Sequence, residues 1–405
     1  MLDPGGGHTG RFDVGVRDGR IAAVGPALPR SATSVVDAGG RLVTPGLVDL
    51  HTHVHPGAGY WGIDPDPIAW YTGVTTWVDA GSAGAYSLDG LRRYAATRAV
   101  RIAALLNIAG PGLAARTGEG RDLECCDPGL IARVVPENRD LIRGIKVRVD
   151  AETVGPNGVE PLRRGIAAAR ACGLPVMAHV GPPPPGFDEV LDLLRPGDVL
   201  THCASGLANP TGPAAAEAHS RGVLFDIGHG SGAFAFDVIE RQLAGGLHPY
   251  TVSTDLHARS VYGPAFDLPT TMAKLLAVGL PLAEVVAAAT VRPARVLGLD
   301  AGTLAVGAPA DVAVFRVEKG EFEVVDAHRQ VRRAPLRLVN EATYVGGRRL
   351  RPGWPAPPPP WIPLTGEQRA ALARREHDLR AMLAAPLVGR DGLAEQFPRA
   401  PASQE

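Results

Sequence analysis

Six residues of the 405-residue chain have side chains suited to one joint chemistry: His51, His53, Lys146, His179, His202 and Asp255. His51 and His53 stand two apart in a strand-like run, so alternation along the strand turns both imidazoles to one face. Two imidazoles converging on a point suit zinc or a similar divalent ion. Taken alone, such a pair is a weak signal, better explained by an ordinary core or surface role. His55 continues the alternation, but it lies past the expected strand end and precedes Pro56, so it reads as a solvent-exposed loop histidine.

Lys146 is the sharper clue. Of the 41 Lys and Arg residues only Lys146, Lys274 and Lys319 are lysines, so arginine serves wherever simple positive charge is needed. Lys146 lies inside the apolar run IRGIKV (142–147), where an unpaired ammonium is costly. Arginine keeps its proton, whereas a buried lysine can become neutral. A neutral amine can add carbon dioxide to give a carbamate, an anionic oxygen ligand able to bridge two cations. The alternative is a buried lysine paired with an acid.

His179 ends the run 174–179, His202 ends 198–202 and Asp255 ends 250–255. Each has a plain reading by itself: a satisfied structural histidine, or a carboxylate capping the next helix. Their joint placement is the stronger observation. Six metal-competent residues fall at the C-terminal edges of predicted strands, in five different strand–helix units.

The elements that must position them follow a regular pattern. Short apolar runs at 46–51, 74–80, 102–108, 141–147, 175–179, 199–202, 223–227 and 250–255 alternate with helical segments at 158–172, 187–194, 213–221, 234–243 and 268–278. Eight such βα units predict a (β/α)8 TIM-like barrel, whose active site lies at the C-terminal ends of its strands. Strand character at 11–45 and again after Gly302 predicts a small β-sandwich built from both chain ends. The expected organisation is 1–45 and 301–353 for the two parts of that β-domain, 46–300 for the barrel, and 354–405 for a Pro-rich linker with a helical pattern near 367–383 and a polar end. The tail is expected to face solvent or dock on a neighbour.

Composition narrows the partners. The chain is 45% hydrophobic and 20% charged with a net charge of −1, which gives nucleic acid or an anionic membrane no basic surface to hold. The 50 glycines and 37 prolines suit a fold with many crossovers. Cys125, Cys126, Cys172 and Cys203 lack paired CxxC spacing, and the N-terminus lacks the charged and apolar regions of a signal peptide. The run 275–291, broken by Pro281 and Glu284, reads as two buried helical pieces rather than a membrane span. A soluble cytoplasmic protein acting on a small molecule is expected, with homo-oligomerisation left open.

The run TPGLVDLHTH (44–53) resembles the opening motif of the amidohydrolase superfamily, near its dihydroorotase and D-aminoacylase branches. The superfamily's order of HxH, a carboxylated lysine, two histidines and an aspartate matches His51, His53, Lys146, His179, His202 and Asp255. GVTTWVDAGSAG (73–84), FDIGHG (225–230) and FDLPTTMAKLL (266–276) are similar to a group of deacetylase-type or dihydroorotase-like metallohydrolases. GTLAVGAPAD (302–311) resembles the superfamily's return into its small β-domain. The resemblance covers about 11–350. Two features depart from it: an extra strand normally precedes the DP found here at Asp3-Pro4, so either the start is placed late or the β-domain lacks an edge strand, and the tail after Gly353 is longer.

The resemblance implies two divalent ions, zinc being the first choice: one held by His51, His53 and Asp255, the other by His179 and His202, with carboxylated Lys146 and a water bridging both. It implies hydrolysis of an amide or ester bond, with Asp255 as base and then acid, on a small acylated substrate such as an N-acyl amino acid or O-acetyl hydroxy acid. A cyclic-amide hydrolase such as a dihydroorotase is the alternative enzyme. A metal-free scaffold protein of the same fold is the non-enzymatic one. Arg148, His229, His257, Arg259 and Tyr262 are the substrate-binding candidates. Arg148 would hold a carboxylate or pair with a nearby acid, and His229 would donate to the substrate or order its loop.

Overall fold

The computed structural model describes residues 1–384 except 30–31, 60, 116–117 and 209. The chain opens with two short antiparallel pairs, β1 (Leu2–Asp3) with β2 (His8–Thr9), and β3 (Asp13–Arg17) with β4 (Arg20–Gly25). Then come β5 (Leu42–Pro45), β6 (Leu47–Thr52), α1 (Asp66–Thr72), β7 (Val74–Gly84), α2 (Leu88–Ala95), β8 (Arg101–Asn107), α3 (Pro128–Val134), β9 (Ile142–Val149), α4 (Ala151–Val154) and α5 (Glu160–Cys172). The alternation continues through β10 (Val176–Val180), α6 (Phe187–Leu193), β11 (Val199–Thr201), α7 (Pro213–Ser220), β12 (Leu224–Asp226), α8 (Phe236–Ala244), α9 (Leu268–Ala277), α10 (Leu282–Ala288) and α11 (Val291–Leu297). The long strands β13 (Val312–Val325) and β14 (Val331–Val345), the short β15 (Arg348–Arg349) and α12 (Gly366–Ala384) complete it.

β6 to β12 form one parallel sheet in sequential order, wrapped by the helices. Every residue of β6 and of β7 is buried, as expected of strands covered on both faces. A small inner cluster of Leu50, Val78, Ala80, Ala103, Leu105, Met177, Val199 and Leu297 fills the concave side, while the larger apolar core lies between sheet and helices. The structure is therefore α/β with a curled parallel sheet and a separate β-sheet region.

The run expected as the eighth strand differs from prediction. Residues 250–255 form no regular strand, although Thr251 bridges Asp226 on one side and Leu256 bridges Thr52 on the other, both in parallel sense. The physical reason is a substituted ladder. Thr254 donates its backbone N–H to the Asp49 carboxylate (3.0 Å) instead of to a main-chain carbonyl, and its hydroxyl bonds the same carboxylate (2.6 Å).

In the β-region, β5 pairs antiparallel with β13, which pairs with β14, and β14 with β15. The strand character expected after Gly302 takes the form of two long strands, because register shifts near Phe315 and Phe322 absorb the irregular residues without ending the ladder. The β3–β4 hairpin touches this region through the Arg20–Pro309 bridge, with Ile21, Leu304, Ala308 and Ala310 buried beneath. Residues 1–362 make one compact unit and 363–405 another; the second contains α12, and the expected polar end at 385–405 lies outside the described residues. No helix among the described residues is long and apolar enough to cross a membrane.

Candidate metal centre

All six residues singled out by type and spacing sit at one end of the parallel sheet. His51 is in β6 and His53 one residue beyond it, Lys146 is in β9, His179 in β10, His202 directly after β11, and Asp255 in the irregular segment. Two of them adopt left-handed backbone, His202 at φ 65° and Asp255 at φ 48°. That conformation costs a non-glycine residue about 1–2 kcal/mol and is retained where it aims a side chain. Gly81, at φ 84°, leaves the room that Lys146 needs: a Cβ there would stand 2.7 Å from Lys146 Cγ.

The side chains converge in two groups, one around His51 and Asp255 and one of His179 and His202. Asp255 Oδ1 lies 3.3 Å from His51 Nε2 and 3.2 Å from His53 Nε2. Lys146 Nζ is 3.1 Å from the same His51 Nε2 and 3.3 Å from Met177 Sδ. On the other side His202 Nε2 is 2.8 Å from His179 Nδ1. Ligand atoms of His51, His202 and Asp255 all fall within 4.8 Å of one another, which joins the groups into one cluster.

Protonation follows from the surroundings. Burial pushes His51 and His202 well below the usual histidine range, with Lys146 adding to the first and His179 to the second; burial lowers His179 as well. Burial thus favours the neutral rings, whose lone pairs can bind a cation. Burial also brings the Lys146 amine down to about 7, against the pull of Asp255. Burial alone would raise Asp255, but His51, His53 and His257 hold it well below the ordinary carboxylate range.

Four further residues set the rings, and reading the sequence missed them. Thr201 Oγ donates to Asp226 (2.8 Å), so it accepts from His51 Nδ1–H (2.9 Å) and leaves His51 Nε2 free. Ser82 Oγ meets His53 Nδ1 at 3.0 Å. Gly228 O accepts from His202 Nδ1–H, freeing Nε2. Asp150 Oδ2 takes His179 Nε2–H at 3.2 Å, which turns Nδ1 inward. Two acceptor nitrogens, His202 Nε2 and His179 Nδ1, thus face each other across 2.8 Å, an arrangement that calls for a cation between them. The donor set of four imidazoles, a carboxylate and a lysine fits divalent metal. Asp150 had one available signal, an acid four residues after Lys146 at a strand end; Thr201, Ser82 and Asp226 had none, being ordinary strand residues.

The substrate-binding candidates divide. Arg148 lies in β9 itself, its Nη1 3.1 Å from Glu119 and its Nη2 3.9 Å from Asp150, so it pairs with acids in the wall. Its guanidinium stands 5.3 Å from the Trp61 ring, and Trp61 stacks on His257 at 5.0 Å and 21°. His257 Nδ1 accepts from the backbone of Arg259 (3.1 Å), so its Nε2 carries the proton. The Arg259 side chain is exposed. Tyr262 directs its hydroxyl to Ala356 O (3.4 Å), away from the cluster. His229 is fully buried, with Nδ1 on Gly230 O (2.8 Å) and Nε2 on Lys274 Nζ (2.6 Å), which favours the loop-ordering role.

His55 corrects an expectation. It is buried rather than exposed, its ring 6.2 Å from Tyr94. The loop after β6 doubles back, with Ile63 N donating to His53 O (3.0 Å). Gly62 passes so close that a Cβ would stand 2.2 Å from His55 O.

Known proteins resemble the chain over most of its length. The amidohydrolase family matches residues 202–341. A deacetylase of Agrobacterium fabrum is 42% identical over 339 residues, covering 81% of this chain and 83% of the relative. A deacetylase of Enterococcus faecalis is 33% identical, covering 83% and 94%. Among solved structures, an adenine deaminase superposes with TM-score 0.81 at 32% identity (84% and 95% covered), and a dihydroorotase with 0.78 at 39% identity (86% and 93%).

Proposed function

The chain belongs to the amidohydrolase family and is a hydrolase of C–N bonds, and we propose that it removes an acyl group, acetyl first among them, from a small molecule at a two-metal centre. The observation that carries this reading is the convergence of the His51, His53, His179 and His202 imidazoles beside Asp255 and Lys146. His51, His53 and Asp255 would hold one ion and His179 and His202 the other, zinc being the best match to these donors.

Lys146 would join them as a carbamate. Its neutral amine attacks carbon dioxide, the new N–C bond forms, and one proton leaves to solvent. Burial favours the neutral amine that this step requires. Bound divalent ions would supply an acidified water and a polarised substrate carbonyl. Asp255 takes the water's proton on Oδ2 and returns it to the leaving nitrogen or oxygen. Gly230 leaves that oxygen accessible, since a Cβ there would lie 2.7 Å from it. Trp61 and His257 wall the approach, and Arg259 supplies an exposed positive charge beside them.

The same reading extends to the architecture. Residues 46–300 form the catalytic barrel, closed by 250–256; 1–45 and 301–353 form a β-sandwich against it, and 354–405 is an appended tail. Single bridges from 250–256 to both edge strands support closure.

A hydrolysis screen of the metal-loaded protein tests the substrate class, setting N-acetyl-D-amino acids and O-acetyl-2-hydroxy acids against dihydroorotate. Turnover of the acetylated compounds is expected. Turnover of dihydroorotate alone would replace deacylation by cyclic-amide hydrolysis.

A further inference from the structure

Lys274 is the second buried lysine of this arginine-rich chain, and nothing in the proposed chemistry uses it. It stands on α9 with 1% of its surface exposed. Its Nζ lies 2.6 Å from His229 Nε2 and 2.7 Å from Pro264 O. Burial brings the amine down to about 7. Ammonium and neutral amine both carry enough N–H to serve two acceptors, so the two bonds persist in either form.

These acceptors belong to the two loops that frame the metal centre. His229 is held between Gly228 and Gly230, both with left-handed φ (47° and 59°), and its ring stacks on Phe234 at 4.8 Å. Gly228 O is the acceptor that orients His202 Nδ1–H. A Cβ on Gly228 would stand 2.2 Å from Thr201 Oγ, so this turn is pressed against the residue that orients His51. Gly230 abuts Asp255 Oδ2, and its N–H bonds Thr254 O at 2.9 Å. Pro264 closes the loop that begins at Asp255 and carries His257 and Arg259.

We propose that Lys274 is a positioning residue: by bonding His229 and the Pro264 carbonyl together it fixes the 228–230 turn and the 256–264 loop, and so the aim of His202 and Asp255. The proposal rests on the metal-centre reading above. A buried lysine that merely filled space would affect melting alone, whereas a positioning lysine affects turnover and metal retention.

The test uses Lys274→Met, which keeps the stem and removes both bonds, together with His229→Phe and His229→Gln, the latter offering an amide oxygen where Nε2 stands. Lys274→Met and His229→Phe are each expected to lower kcat on the order of 10- to 100-fold with KM little changed, and to speed loss of metal to a chelator, as outer partners of metal ligands do. His229→Gln is expected to recover most of what His229→Phe loses, and the Lys274→Met/His229→Phe double variant to be no worse than the poorer single one. Wild-type kcat and metal retention in folded His229→Phe, or additive losses in the double variant, would overturn the proposal; the His229 pair decides if Lys274→Met does not fold. A wild type that holds metal but hydrolyses nothing would fail the functional reading, while the retention comparison would still judge Lys274.

Discussion

Two buried lysines, Lys146 and Lys274, meet the same physical problem in different surroundings. Burial lowers each to about 7, and each has an imidazole Nε2 within 3.1 Å. Lys274 is saturated, its second partner being a backbone carbonyl at 2.7 Å. The second partner of Lys146 is a thioether, a weak acceptor, and its other neighbours are metal-competent lone pairs. The contrast separates a nitrogen that holds structure from one kept available for chemistry. Burial and shift alone would not have told them apart.

The comparison can be broken in several ways. The largest effect belongs to Lys146→Ala, which should cut hydrolysis by more than the roughly 100-fold that losing an outer partner costs. Retained activity in steady-state assays would put Lys146 on the same footing as Lys274. Next comes Asp150→Asn, which replaces the carboxylate that turns His179 Nδ1 inward; a loss on the order of 10- to 100-fold in kcat/KM is expected, with weaker metal binding by chelator competition.

A smaller effect concerns folding without metal. Lys274→Met forfeits two satisfied bonds and should cost about 1–3 kcal/mol in denaturant unfolding. Lys146→Met loses one imidazole partner at 3.1 Å and a weak thioether contact, and should cost less; equal costs for both would erase the distinction. Smallest is a pH effect. Folding takes Lys274 from the ordinary 10.5 to about 7. Between those values the unfolded chain binds the proton and the folded chain does not, so stability rises with pH through this window. Thermal melts should therefore show the gap between wild type and Lys274→Met widening from neutral to alkaline buffer and staying level below about pH 7.

The six converging residues were legible in the sequence because polar side chains at strand ends interrupt apolar runs in a fixed order. The parallel sheet was legible for the same reason, through its alternating runs and helices. The segment 250–255 looked like one more strand, yet a side chain, Asp49, takes the N–H that a ladder would have used. No local pattern announces such a substitution. His55 was misread because burial of a loop residue depends on how the loop folds back, here through Gly62. Thr201, Asp226 and Ser82 stayed silent because their role comes from contacts between segments far apart in sequence, as with Thr201 and His51. Lys274 was visible as a rare lysine, but its partners, His229 and Pro264, are set only by the fold.

A two-metal centre bridged by a carboxylated Lys146 has a stoichiometry of its own. Metal content per chain by elemental analysis tests it most directly, measured on wild type and Lys146→Ala loaded with zinc in the presence of bicarbonate. Two ions per wild-type chain and fewer in the variant are expected; one ion per chain in both would rule out the bridged pair.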